Sequence, residues 1–184
     1  MQRVMTRMME TKLQTRAIDR YRIICNPIAP FAIIQRADDA IEATWIENEL
    51  TQLSSLTQDE HMLDDLAVRI EAYLHGEAAD FSDVPTPRGG GFFAQCWQAC
   101  RAIPRGEVRT YAQLARSAGG SAAAARAAGQ SMRRNPLPVI VPCHRVVGSA
   151  GGPRGLHGYG GSVDPRGVQL SIKRALLELE GAID

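Results

Sequence analysis

Thr110-Tyr111-Ala112-Gln113-Leu114-Ala115-Arg116-Ser117-Ala118-Gly119-Gly120-Ser121-Ala122-Ala123-Ala124-Ala125-Arg126-Ala127-Ala128-Gly129-Gln130-Ser131-Met132-Arg133 decides the architecture of the second half of this chain. Thr110 precedes a run with helical spacing and is expected to cap a helix from Tyr111 to Ser117. Gly119-Gly120 breaks that helix, and Ser121 is expected to cap a second one from Ala122 to Arg133. Helix, tight glycine turn, helix is the pattern of a helix-turn-helix, whose second helix is presented to DNA. From Ala122 to Gln130 this helix has almost no side-chain bulk, and Arg126 is its one large cation. Alanine favours a helix whatever the function. The smooth surface also suits close approach of the backbone to a groove. Few side chains are available to read base edges, so sequence-specific readout is not expected.

Outward from this unit, Phe92 to Ala102 reads as a helix with an apolar face of Phe93, Cys96, Trp97 and Cys100. Ile103-Pro104-Arg105-Gly106 reads as a turn, and Gln169 to Glu180 as an amphipathic helix with Ile172, Leu176 and Leu179 inward. Phe81 to Gly91 is rich in Pro and Gly and reads as a linker. It places a boundary between domains 1–88 and 89–184. In the first half, Tyr21 to Cys25 and Phe31 to Gln35 read as two short strands around Asn26-Pro27. Ala40 to Leu50 and His61 to Leu74 carry apolar residues at helical spacing, with Met62, Leu66, Ile70 and Leu74 on one stripe. Residues 1–20 are polar and irregular. The chain thus reads as an α/β (α+β) protein with its helices concentrated in the second half.

Past the second helix comes Asn135-Pro136-Leu137-Pro138-Val139-Ile140-Val141-Pro142-Cys143-His144-Arg145-Val146-Val147. Val139 to Val141 reads as a short buried strand that Pro142 ends, since proline has no amide hydrogen for a ladder. Cys143 would then sit where a buried element opens into a loop, with His144 and Arg145 beside it. A thiol acts as a nucleophile only as thiolate, and such neighbours are expected to lower its pKa. The bland alternative is a buried structural cysteine.

The net charge of +1 conceals an asymmetry. Residues 38–83 hold thirteen acidic side chains against one basic, Arg69, whereas residues 101–145 hold eight arginines against one acid, Glu107. A basic face confined to one half is the footprint of a nucleic-acid binder. No run of eighteen apolar residues suggests a membrane span. The polar N-terminus lacks a signal-peptide core. Cys25, Cys96, Cys100 and Cys143 match no disulfide framework, which argues for a reducing, cytoplasmic setting. Cys96 and Cys100 share a helical face, but no His or Cys pair completes a zinc site, and two core cysteines are the expected reading.

The block from Asn135 to Val147 resembles the acceptor-cysteine signature of the O6-alkylguanine-DNA alkyltransferases, suicide DNA-repair proteins. The resemblance runs back through Gly106-Glu107-Val108, Tyr111-x-x-Leu114-Ala115 and Ala124-Ala125-Arg126-Ala127, and covers residues 92–181. It implies a ribonuclease-H-like N-terminal domain and a helical, winged-helix-like C-terminal domain. It implies that Cys143 takes an alkyl group from O6-alkylguanine, and less efficiently from O4-alkylthymine, in duplex DNA. His144 would take the thiol proton through a water, and Glu180 would orient His144. Tyr159 would donate a proton or hydrogen bond to the leaving guanine. Arg126 would fill the gap of a flipped nucleotide in the minor groove, and Tyr111 would push on the 3′ phosphate. Ala125, Ala127 and Gln130 lie on the same DNA-facing helix. Flipping is required because a stacked O6 atom is out of in-line reach of a buried sulfur.

Asn135, by the same resemblance, supports the acceptor segment through backbone hydrogen bonds, and Arg145 packs or pairs inside the site. His157 is read as a loop residue. The chain departs from several relatives in a longer, Gly-rich loop from Gly148 to Gly158 and in Gly160, where some have serine. The family implies no cofactor and a monomer on DNA, and the N-terminal half offers no ligand cluster for a structural zinc. Two other classes stand against this reading. A non-catalytic alkyltransferase-like damage sensor usually carries tryptophan in place of the cysteine. A helix-turn-helix regulator needs a base-reading helix, which Ala122 to Gln130 scarcely provides.

Overall fold

The computed structural model describes residues 18–46, 53–149, 155–156, 159 and 167–184. The expectations for residues 1–17, His157 and Gly160, and for most of the loop after Gly148, lie outside them. The first half builds one sheet. Strands β1 (Arg20–Ile24), β2 (Phe31–Gln35) and β3 (Ile41–Trp45) run antiparallel in series, and a short β4 (Thr57–Gln58) joins β1 in parallel, giving the order β3-β2-β1-β4. The β1–β2 turn forms around Asn26, whose Oδ1 accepts from the amides of Ile28 (3.0 Å) and Ala29 (3.3 Å). This is the local side-chain-to-backbone bonding that makes Asn a turn residue. Strand β2 is an inner strand of the sheet, with Phe31, Ala32 and Ile33 wholly buried.

Strand β3 corrects the helix expected from Ala40 to Leu50. Over so short a run helical and alternating spacing are hard to tell apart. The alternation decides: Ala43 and Trp45 are buried on one face, and the Trp45 ring meets Phe31 edge-on at 4.7 Å. Helix α1 (Asp64–Leu74) follows, with Met62, Leu66, Ile70 and Leu74 buried as the stripe predicts. Residues 75–90 then carry no helix or strand.

The second half contains α2 (Gly91–Arg101), a short β5 (Arg109–Thr110), α3 (Tyr111–Ser117), α4 (Ala125–Arg133), β6 (Val146–Val147) and α5 (Val168–Leu179). Thr110 caps α3 as expected. Its side chain accepts from the Gln113 amide while Gln113 reaches back to the Thr110 amide, a reciprocal capping box. Gly119, at φ 79°, makes the break. Ser121 makes no side-chain cap, and Ala122–Ala124 form a single 3-10 turn before α4 begins. Trp97 of α2 donates to the carbonyl of Ser131 in α4 at 2.9 Å, and Cys96 and Cys100 are buried and unpaired. One apolar cluster runs through both halves, from Ile33 and Trp45 through Ile70 to Trp97, Leu114 and Leu176. Among the described residues no helix is long and apolar enough to cross a membrane.

Candidate active site

The segment from Leu137 to Arg145 is buried without being a strand. Val139 to Val141 form a turn, with Val139 at φ 74°, and the carbonyl of Leu137 accepts from the Val141 amide at 2.8 Å. Pro136, Pro138 and Pro142 supply no amide hydrogens, so the stretch cannot sustain a ladder and coils instead. A left-handed β-branched residue is costly and persists only where its surroundings over-determine it. Here Asn135 does much of that, donating to the Val141 carbonyl at 2.8 Å and accepting from the Leu137 amide at 3.0 Å. Asn135 thus bonds a turn in place of the expected strand. The amide of Ala43 adds a bond to the Pro136 carbonyl at 2.8 Å, tying the edge of the sheet to the same turn.

Cys143 opens a 3-10 turn from Cys143 to Arg145, which feeds β6 and puts His144 and Arg145 inside the protein. Glu180 follows the last residue of α5 and is also buried. His144 Nε2 lies 3.1 Å from Glu180 Oε1. Arg145 grips the same carboxylate through Nε (3.0 Å to Oε2) and a terminal nitrogen (2.7 Å to Oε1), and its other terminal nitrogen donates to the Ile103 carbonyl at 2.5 Å. Burial alone would raise the Glu180 carboxyl, but hydrogen bonds from His144, Arg145 and Tyr73 outweigh it and hold it well below the usual range. His144 is pushed down by burial despite Glu180, so it rests neutral. Its Nδ1 is buried with no hydrogen-bond partner among the described residues.

Cys143 departs from the expectation that its neighbours lower its pKa. Burial pushes the thiol up, more than hydrogen bonds from Asn135 and Tyr159 and the charge of Lys173 pull it down. Desolvation is the cause, and the cation next in sequence does not offset it, because the Arg145 guanidinium is paired with Glu180. The resting sulfur is therefore a thiol beside a neutral imidazole. Tyr159 is buried, accepts from Trp45 Nε1 at 3.3 Å, and has its phenol pushed well up by burial, so it remains a donor. The ring of Tyr111 is half-buried, close to Gly129 of α4, with Lys173 Nζ 6.0 Å from its centroid. On α4, Arg126 and Gln130 are exposed, and Ala125 and Ala127 are half-buried.

Three groups escaped the sequence reading. Tyr73 of α1 donates to Glu180 and stands 3.2 Å from His144 Nε2. Trp45 reaches Tyr159 from β3. Lys173 is buried in α5, donates to the Val146 carbonyl at 2.6 Å, and is lowered by burial to about 8. A lysine beside Ile172 on an inward helical face was the available signal for the last; Tyr73 and Trp45 had none. The arginine-rich stretch is also less uniformly a basic face than expected. Arg101 is spent on the carbonyls of Phe81 and Val84, and Arg105 on those of Gly76, Glu77 and Leu179.

Residues 91–182 match the family model described as the 6-O-methylguanine DNA methyltransferase DNA-binding domain. A methylated-DNA–protein-cysteine methyltransferase of Methanosarcina acetivorans is 33% identical over 88% of this chain and 98% of its own length. The crystal structure of Mycobacterium tuberculosis O6-methylguanine methyltransferase is 31% identical, with a TM-score of 0.71 over 90% of this chain and 94% of that one. The Mycobacterium tuberculosis OGT in complex with DNA is 32% identical, with a TM-score of 0.68 over 89% and 93%. Matched by the family model over half its length and by these relatives over most of it, the chain belongs to the methylated-DNA–protein-cysteine methyltransferase family.

Proposed function

We propose that this protein repairs alkylated duplex DNA by direct reversal, moving the alkyl group of O6-alkylguanine, and more slowly that of O4-alkylthymine, irreversibly onto Cys143. The observation that supports the reading is the burial of Cys143 and His144 on one 3-10 turn, with His144 Nε2 3.1 Å from Glu180 at the end of α5. The thiol proton passes through a water to His144 Nδ1, the imidazolium is stabilised by Glu180, and the sulfur attacks the alkyl carbon in line. The carbon–O6 bond breaks, its electron pair stays on the base, the Tyr159 hydroxyl donates its proton to that base, and the proton taken up by His144 makes good the loss from the phenol. The products are guanine and S-alkylcysteine, so each molecule acts once. Since the thiol is held up by burial, the thiolate exists mainly as the proton moves, and Lys173 is the cation that favours it.

In this reading Arg126 and Tyr111 serve nucleotide flipping, Ala125, Ala127 and Gln130 line the DNA face, and Asn135 and Arg145 hold the acceptor turn and the carboxylate. The division into domains 1–88 and 89–184 and a cytoplasmic setting belong to the same reading; the four unpaired cysteines agree with the latter. Incubation with duplex DNA carrying O6-methylguanine, followed by intact mass and peptide mapping, tests it. One methyl group on Cys143, absent from Cys143→Ala, is expected. Lesion binding without any mass change would overturn the transfer and leave a damage sensor.

A further inference from the structure

Tyr73 belongs to the first half of the chain, yet its hydroxyl meets both relay groups of the second. It donates its only proton to Glu180 Oε1 and lies 3.2 Å from His144 Nε2. Burial and the charge of Glu180 push the phenol up, so it stays an O–H donor. With that proton committed, the phenol oxygen offers only lone pairs to His144. Nε2 therefore faces two acceptors, the Glu180 carboxylate at 3.1 Å and the Tyr73 oxygen. A bare Nε2 would set lone pair against lone pair, so this nitrogen carries the hydrogen. Nδ1, which has no hydrogen-bond partner among the described residues, is left as the proton acceptor.

The ring is fixed in place. Phe81 packs edge-on at 6.0 Å, and the Arg105 guanidinium lies 5.3 Å above the ring. Arg105 also bonds Gly76 and Glu77, just past α1, and the Leu179 carbonyl of α5 at 3.1 Å. It thereby pins the helix bearing Tyr73 to the helix end bearing Glu180. A cleft of about 570 Å³ is lined by Tyr73 and Arg145 together with Phe81, Arg101 and Val139, among others.

We propose that Tyr73 is a positioning residue of the alkyl-acceptor site, contributed by the N-terminal half, which acts with Glu180 to hold the Nε2–H tautomer of His144 and so leaves Nδ1 free for the Cys143 proton. The proposal rests on the alkyl-transfer reading. Its test is independent of DNA: the pH dependence of iodoacetamide alkylation at Cys143, read by peptide mass, in wild type and Tyr73→Phe. The other titratable groups around the pair (Glu180, Arg145, Lys173, Tyr111, Tyr159 and Cys100) are the same in both. The midpoint is expected to rise by about one pH unit in Tyr73→Phe, an about tenfold loss of rate at neutral pH. Methyl transfer from DNA slows by the same factor while DNA affinity is unchanged. Phe81→Leu disturbs the same packing but keeps the hydroxyl, and is expected to lower the melting temperature without moving the midpoint. Nitrogen chemical shifts of His144 in the wild type check the tautomer without any variant.

A Tyr73→Phe profile that overlays the wild type, an equal shift in Phe81→Leu, or an Nδ1–H tautomer would each overturn the proposal. A wild type that takes no methyl group from DNA sinks the alkyl-transfer reading, while the iodoacetamide profile and the tautomer still decide whether Tyr73 positions His144.

Discussion

Glu180 is the residue on which the site's charges converge: His144, Arg145 and Tyr73 all bond one buried carboxylate. Removing one partner of such a group leaves the other uncompensated, at a cost of about 3–5 kcal/mol. Glu180→Gln is therefore expected to lower stability by that amount at neutral pH, measured by urea unfolding. The pH dependence follows from the direction of the shift. A carboxyl held below its unfolded value contributes stability that is complete above that value, about pH 4.3. This contribution is lost as pH falls from there toward the folded value. Wild type should lose stability steeply below about pH 4.3. Glu180→Gln should have a flatter acid limb, and identical acid limbs would count against the network. The same residue shows a limit of sequence reading. The pairing of Arg145 with Glu180 spans 35 positions in the chain, and nothing local announces it.

At the scale of elements, the helix-turn-helix is the best-specified part of the molecule. Thr110 and Gln113 close a capping box that is readable from the residues alone. The tightness of the turn is a matter of packing. A β-carbon on Gly120 would fall 2.8 Å from Phe92 Cε2 and 3.2 Å from the Ala115 carbonyl oxygen. A β-carbon on Gly129, inside α4, would meet Tyr111 no closer than 3.7 Å, an ordinary contact. Opposite signs follow. Gly120→Ala is expected to destabilise by about 1–3 kcal/mol through overpacking. Gly129→Ala should stabilise by about 0.5–1 kcal/mol, because glycine is a poor helix residue. Thermal and denaturant unfolding of the two variants read this directly, and destabilisation by Gly129→Ala would show that Tyr111 cannot give way. The strand expected at Val139 fails for the complementary reason: β-branched residues suggest a strand, but the flanking prolines deny it a ladder.

Across the whole molecule, the second half is less available to DNA than its arginine count suggests. Arg101, Arg105 and Arg145 are committed to carbonyls or to Glu180, and Arg109 pairs with Glu107 at 2.7 Å. Within residues 101–145 this leaves Arg116, Arg126, Arg133 and Arg134 exposed. Each phosphate neutralised contributes about −0.9 to the slope of log affinity against log salt. The expected slope for duplex DNA is about −4, where eight free arginines would give about −7. Fluorescence anisotropy over a salt series measures it, and a slope near the larger value would mean that the committed arginines reach DNA after all. The acidic half contributes inward instead. Its sheet edge and α1 carry Ala43, Trp45 and Tyr73 to the carbonyl of Pro136, to Tyr159 and to Glu180 respectively.

What the amino-acid sequence determined by itself is whatever is encoded within a few residues. Thr110 caps, Gly119-Gly120 turns, and the stripe from Met62 to Leu74 faces inward. Such features depend on backbone preferences and side-chain periodicity that act over a turn or two of chain. Tertiary structure alone decided the strand at Ile41–Trp45, the meeting of Trp45 with Tyr159, and the meeting of Tyr73 with His144 and Glu180. Each of these rests on a contact between distant segments or on the low-dielectric interior that those contacts create. Burial is also what reversed the expected shift of the Cys143 thiol, because desolvation depends on what packs around a group and not on its neighbours in sequence.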